Sequence, residues 1–318
     1  MSSMIALEKD LYQIDVYDMY LPERTNVYLI KGASKIVLIE TGPAPGIKHI
    51  LAAIEKLNLT PAQVDFVIVT HIHLDHAGGA GALTCKLPQA KVLVHPRGAR
   101  HLTEPSRLIA GAKAIYREKF NSFFGEIVPV DQKRIYTPIN GEQLTLDPNI
   151  RLTFYHTLGH ASHHMVIYDP LRKGLFSGDA LGVRYDYLSK AAGFDYILPS
   201  MPPPEFEPNG LKATIEQINS LPLEHVFFTH FGQTSNPAPI LSRNLQLAEK
   251  FLTLGQEVFQ KRGTAEHIKE KIAAYVKDEL AQYGINNYQL PVFQQVFFDL
   301  DFNAQGIYHY LAKIKNKK

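Results

Sequence analysis

The stretch that decides the fold is VDFVIVTHIHLDHAGG, residues 64 to 79. Its first six residues are nearly all apolar and β-branched, the composition of a buried strand. The next residues carry His71, His73, Asp75 and His76, four ionisable side chains within six positions. In an extended or turning backbone alternate side chains point the same way, so His71 and His73 reach one point from a strand end. Asp75 and His76 fall on the turn that follows and face a second point. Gly78 and Gly79 let the chain turn tightly into the next helix. Imidazole combined with carboxylate suits zinc, iron or manganese.

The same arrangement recurs downstream. FYHTLGHASHH offers His160, LFSGDALG offers Asp179, and VFFTHFG offers His230. Each follows an apolar run at the exit of an expected strand, which implies one shared rim. Five histidines and two aspartates exceed what one tetrahedral site needs, so two divalent ions are expected, zinc first and iron or manganese as alternatives.

The surrounding pattern is α/β. NVYLIK (26–31) and KIVLIE (35–40) are strands separated by the hairpin signal GAS, and GIKHILAAIEKL (46–57) has helical spacing. Strands are expected at 64–70, 91–95, 150–156, 164–169, 173–179 and 225–230, with helical stretches at 104–125 and 209–221. Such alternation implies a sandwich of sheets with helices. After the loop-like FGQTSNPAPI (231–240) the chain reads as long amphipathic helices: LSRNLQLAEKFLTLGQEVFQKRG, TAEHIKEKIAAYVKDELAQYG and NAQGIYHYLAKIK. Residues 1–236 read as a catalytic domain and 237–318 as a helical extension covering the active site.

Composition sets the limits. Net charge is +2 in 318 residues, and no basic arm interleaved with aromatics is visible, so nucleic acid is not an expected partner. The basic end KIKNKK reads as a solvated tail. Cys85 is the only cysteine, so no intramolecular disulfide forms. The first residues lack a basic patch followed by an apolar run, and no stretch approaches the roughly 18 apolar residues of a membrane span. Cytoplasmic localisation, a small-molecule acyl substrate and no membrane partner are the resulting expectations, with a homodimer left open.

Together THIHLDHAGG, GHASHH, FSGD and THFG resemble the metallo-β-lactamase superfamily, αββα sandwich hydrolases, over roughly the first 235 residues. The likeness is greatest to the glyoxalase II-like branch with its thioesterases and lactonases. It implies that His71, His73 and His160 bind one metal, that Asp75, His76 and His230 bind a second, and that Asp179 bridges them. Class B β-lactamases usually place a cysteine where Asp179 stands, which argues against β-lactam hydrolysis. The family's DTG is here IETG, with Glu40, and its TPGHTxGH is here TLGHASHH. His164 then reads as a support for the ligands and His163 as a surface or packing residue. The C-terminal helices differ from the substrate-binding domain of glyoxalase II and look like the helical caps of other branches.

The implied chemistry is hydrolysis of a thioester or related carboxylic ester by metal-bound hydroxide, with Asp75 also orienting water or carrying a proton. Lactone hydrolysis is the close alternative. Phosphodiester cleavage, a mononuclear-iron persulfide dioxygenase and a non-enzymatic, ligand-binding regulator are further readings. Tyr185 and Tyr187, after the bridging aspartate, are candidate substrate contacts. His95 reads as structural, and Cys85 as a packing residue. No GxSxG nucleophile motif is present.

Overall fold

The computed structural model describes residues 4–316, so the last two lysines of the basic end lie outside the described residues. The first sheet holds seven strands in sequence order: β1 (Met4–Ala6), β2 (Leu11–Asp15), β3 (Asn26–Lys31), β4 (Ile36–Ile39), β5 (Val64–Ile68), β6 (Lys91–Leu93) and β7 (Ile135–Tyr136). β1 to β4 pair antiparallel, and β4 to β7 pair parallel. The second sheet contains β8 (Gln143–Thr145), β9 (Arg151–Thr157), β10 (His164–Asp169) and β11 (Gly174–Phe176). A separate pair is formed by β12 (Val183–Arg184) and β13 (Ile197–Leu198), and the second sheet is completed by β14 (His225–Phe227) and β15 (Gln233–Thr234).

β3 and β4 are nearly continuous apolar runs, and the structure uses both of their faces. Val27, Leu29, Ile36 and Leu38 face a core with Ile47, Ile50 and Ile54 of α1 (Ile47–Lys56). Tyr28, Ile30, Val37 and Ile39 face Leu152, Phe154, Met165, Ile167, Phe176 and Phe227 of the second sheet. A sheet covered on both faces needs continuous apolar strands rather than alternating ones, which is what these segments are. The first unit also contains α2 (Leu74–Ala77), α3 (Ala80–Thr84), α4 (Pro96–Thr103), α5 (Ser106–Tyr116) and α6 (Phe120–Phe124). The expected helix over 104–125 is broken at Arg117, whose φ of 51° is left-handed. His95 is buried and caps α4, its Nδ1 accepting the Arg97 N–H at 3.1 Å. Cys85 is exposed at the end of α3, not packed as the sequence led us to expect.

The chain divides into two compact units, each discontinuous. Among the described residues the first comprises 4–156, His163–Gly178 and His225–Gln233, and the second comprises Thr157–Ser162, Asp179–Glu224 and 234–316. The second unit holds α7 (Asp186–Ala192), α8 (Pro208–Asn219), α9 (Pro237–Gln260), α10 (Ala265–Ala281) and α11 (Val292–Lys315). α9 begins earlier than its sequence suggests, because Pro237 occupies the first turn, where its missing N–H costs nothing. α11 is longer than expected: Phe293, Val296, Leu300, Ala304, Ile307 and Leu311 form its buried stripe. Ile268, Ile272, Val276 and Leu280 do the same for α10. Arg243 on α9 grips Glu279 on α10 with two 2.8 Å bonds, and Tyr196 donates to the same carboxylate at 2.8 Å. Among the described residues no helix is long and apolar enough to cross a membrane.

One side chain ties the hairpins of the two sheets. Asp147 accepts the Ala33 N–H at 2.8 Å from the β3–β4 turn, and the Asn149 and Ile150 N–H groups at 2.8 and 2.9 Å. The Ala33 bond first, then the other two, hold its carboxyl below the usual range. A depressed carboxyl stabilises the fold above its unfolded pKa of about 4, and that contribution is lost as pH falls through the lower folded value. Denaturant titrations at pH 7 and pH 3 should therefore show Asp147→Asn less stable than the parent at pH 7, with a smaller loss on acidification.

Candidate metal centre

The first unit builds a candidate site from strand exits. β5 runs out at Ile68 and delivers Thr70, His71 and His73; β14 runs out at Phe227 and delivers Thr229 and His230. His71 and His76 are fully buried, His230 nearly so, and Asp75 is partly exposed. The ligand atoms of Asp75, His76 and His230 lie within 4.8 Å of one another. Their separations are 3.2 Å between the two Nε2 atoms, 3.4 Å from His230 Nε2 to Asp75 Oδ2, and 3.8 Å from His76 Nε2 to the same oxygen. Two donors about 2.0–2.1 Å from a tetrahedral ion stand roughly 3.3 Å apart, so this triangle has the right size. His71 Nε2 and His73 Nδ1 form a second close pair at 2.9 Å.

The protons show why these nitrogens converge. His230 Nδ1 bonds the carbonyl oxygen of Arg24 at 3.0 Å, and a carbonyl can only accept, so Nδ1 carries the hydrogen. His76 Nδ1 bonds the Glu40 carboxylate at 2.9 Å, and His71 Nδ1 bonds Thr70 Oγ1 at 3.1 Å. Each ring thus offers an Nε2 lone pair to the site. Lone pairs of His76 and His230 facing each other at 3.2 Å, beside a carboxylate, repel unless a cation lies among them. The donor set therefore fits a metal ion, and each ring is oriented from behind by an oxygen, as metal-binding histidines require.

Glu40 is the hub of that support. Its buried carboxylate accepts Thr70 Oγ1 at 2.5 Å, the Thr70 N–H at 3.1 Å, Thr229 Oγ1 at 3.1 Å and His76 Nδ1 at 2.9 Å. Its φ is 72°, left-handed for a non-glycine residue. Such a conformation costs on the order of 1–2 kcal/mol and persists where surrounding bonds over-determine it. His76 is held from its main chain as well: its carbonyl accepts both the N–H and the hydroxyl of Thr41 at 2.9 Å.

A second support lies in the segment between β2 and β3. Asp18 is buried and accepts Arg24 Nε at 3.1 Å and Thr25 Oγ1 at 3.2 Å, while Thr25 Oγ1 also meets His230 Nδ1 at 3.2 Å. Burial, and then the nearby Asp75 charge, raise the Asp18 carboxyl above its usual range against the pull of Arg24.

In the second unit, His160 and Asp179 are neighbours, with Nε2 3.5 Å from Oδ2. His160 Nδ1 bonds the Ser200 carbonyl at 3.3 Å, so its Nε2 too presents a lone pair beside a carboxylate. His164, in the first unit, is buried with its ring 4.9 Å from that of His71, and His163 stacks near His71 at 6.1 Å. Gly178 is required there: a Cβ would stand 2.6 Å from His164 Nε2 and Thr70 Oγ1. Tyr185 is buried and donates to Asp299 of α11 at 2.6 Å, whereas Tyr187 is half exposed.

Sequence reading missed the supporting groups. A usable signal existed: a threonine directly precedes a candidate ligand histidine at Thr70–His71 and at Thr229–His230, and both hydroxyls go to Glu40. Glu40→Gln places an amide donor against these donors. In competition between the protein and a chelator for an added divalent ion, it should weaken metal binding about 10–100-fold, the range seen when groups behind metal ligands are removed.

The sequence profile of the Metallo-beta-lactamase superfamily matches residues 20–230. The chain is 29% identical over 159 residues to the Beta-lactamase-like protein 2 homolog of Drosophila melanogaster, covering 49% of this chain and 47% of that protein. The Caenorhabditis elegans homolog is 24% identical over 157 residues, covering 49% and 44%. The chain thus spans about half the length of the curated relatives it matches. Among solved structures it is similar to a metallo-beta-lactamase family protein of Thermus thermophilus, with TM-score 0.69, 19% identity, and 98% and 95% of the two chains covered. An archaeal superfamily protein of Sulfolobus tokodaii gives TM-score 0.62 and 23% identity over 76% and 86%. Sheets flanked by helices, with a terminal helix after the core and a candidate His/Asp metal site, complete the picture, and the chain belongs to the metallo-beta-lactamase superfamily.

Proposed function

We propose that this chain is a dinuclear metal-dependent hydrolase of a thioester or related carboxylic ester, closest to the glyoxalase II-like, thioesterase and lactonase branch. The observation that carries the reading is the trio Asp75, His76 and His230, whose ring nitrogens are fixed from behind and converge beside a carboxylate. In this reading His71, His73 and His160 would hold one ion and Asp75, His76 and His230 the other, with Asp179 contributing to both. The ions, zinc in the first instance, act when bound as Lewis acids that polarise a carbonyl and bring the pKa of water toward neutrality.

The protein's own groups do the rest. Glu40 and the Arg24 carbonyl keep His76 and His230 in the tautomer that leaves Nε2 available. Asp75 is about one-fifth exposed, so its carboxylate can accept a proton from an attacking water and pass it to solvent. No side-chain nucleophile is needed, and Cys85 sits exposed at the end of α3. The acyl preference comes from the resemblance to the thioesterase and lactonase branch, and the net charge of +2 offers no broad basic surface for a polynucleotide.

Rates on a panel of small thioesters, lactones and phosphodiesters test the reading; phosphodiester cleavage far above acyl hydrolysis would reject it. His71→Ala and Asp75→Ala should each lower kcat/KM by several orders of magnitude, because water activation and carbonyl polarisation fail together. Cys85→Ala should stay within a few-fold of the parent. In ¹⁸O-water under single turnover, label should enter the acid product with no acyl adduct on the protein.

A further inference from the structure

Ser200 lies between two clamps. On one side its hydroxyl donates to Asp179 Oδ2 at 3.0 Å, and its carbonyl accepts His160 Nδ1 at 3.3 Å. On the other side the two residues flanking it are held by one buried side chain of α11. Asn303 Oδ1 accepts the Met201 N–H at 2.8 Å, and Asn303 Nδ2 donates to the Pro199 carbonyl at 2.8 Å. Asn303 is 2% exposed and Met201 is fully buried. One turn further along α11, Gly306 lets the helix reach the same segment: a Cβ there would stand 1.8 Å from the Met201 carbonyl oxygen. The segment leaves β13, which is itself paired to β12.

We propose that Ser200 is a positioning residue for Asp179 and His160, and that Asn303 of α11 fixes Ser200, so that the C-terminal helix sets metal affinity. This rests on the reading of Asp179 and His160 as metal ligands. A carboxylate is free to rotate about its terminal torsion, and an imidazole can flip between two tautomers. The Ser200 hydroxyl restrains the first and its carbonyl selects the second, using one residue for two ligands. An amide that accepts from residue 201 and donates to residue 199 holds the peptide units on both sides of Ser200. Side-chain volume alone does not account for that pairing: a leucine at 303 would fill comparable space and leave a buried N–H and a buried C=O without partners.

The test uses the whole 318-residue chain, stripped of metal and titrated with zinc against a chromophoric chelator. Thermal unfolding of the metal-free proteins is measured alongside. Ser200→Ala should weaken zinc binding about 10–100-fold while the metal-free midpoint stays near that of the parent. Ser200→Thr, which keeps the hydroxyl, should bind within a few-fold of the parent. Asn303→Leu should weaken binding in the same direction as Ser200→Ala. Asp179→Ala is the control for the ligand reading itself. If Asp179→Ala loses zinc but Ser200→Ala and Asn303→Leu bind as the parent does, the positioning role is overturned and the ligand assignment stands. If Asp179→Ala also binds as the parent does, the ligand assignment fails and takes the positioning role with it.

Discussion

A buried carboxylate with four hydrogen bonds is the constraint on which the first unit's site depends. Glu40 sits at the end of β4 in a left-handed conformation, and from there it reaches the exit of β5, the exit of β14 and the turn that carries His76. A charge buried this deeply is costly unless its lone pairs are filled, and hydrogen bonds to a charged acceptor contribute about 1.5–3 kcal/mol each. Two threonines and a histidine fill them. The same bonds decide which nitrogen of His76 is available, so the stability of the sheet exits and the chemistry of the site are set by one group.

The division of labour between regular and irregular structure follows. β4, β5 and β6 run parallel, so their C-terminal ends lie along one edge of the first sheet. β11 and β14 are likewise parallel in the second sheet. Cores on both faces of the first sheet hold these strands rigid. The candidate metal-binding side chains are then the few residues just past each strand, where the backbone turns and side chains need no longer alternate between buried faces.

Much of this was legible in the sequence, for a physical reason. An apolar run ending in histidine or aspartate is expensive to bury without a purpose, so VDFVIVTHIHLDH and VFFTH announce both a strand and a candidate metal site at its end. α1 showed itself through Ile47, Ile50 and Ile54, the residues the core takes up. The first half of α11 did not: Phe297, Phe298 and Phe302 lie off its buried stripe and blur the spacing of Phe293, Val296 and Leu300. The start of α9 was masked by prolines, which punctuate loops and also open helices. Glu40 stood out only as a departure from a familiar motif. Its role needs partners 30, 36 and 189 residues away, a relation that no local pattern encodes. The clamp of Asn303 on the Ser200 segment, whose nearer bond spans 102 residues, was invisible for the same reason.

The central claim is a two-ion centre bound by imidazole and carboxylate alone. Zinc-edge X-ray absorption on the loaded protein, combined with metal counting by native mass spectrometry, tests it most directly. The account predicts two ions per chain and an N/O shell at about 2.0–2.1 Å with imidazole scattering. A single ion at saturation, a sulfur ligand near about 2.3 Å, or a shell without imidazole would contradict it.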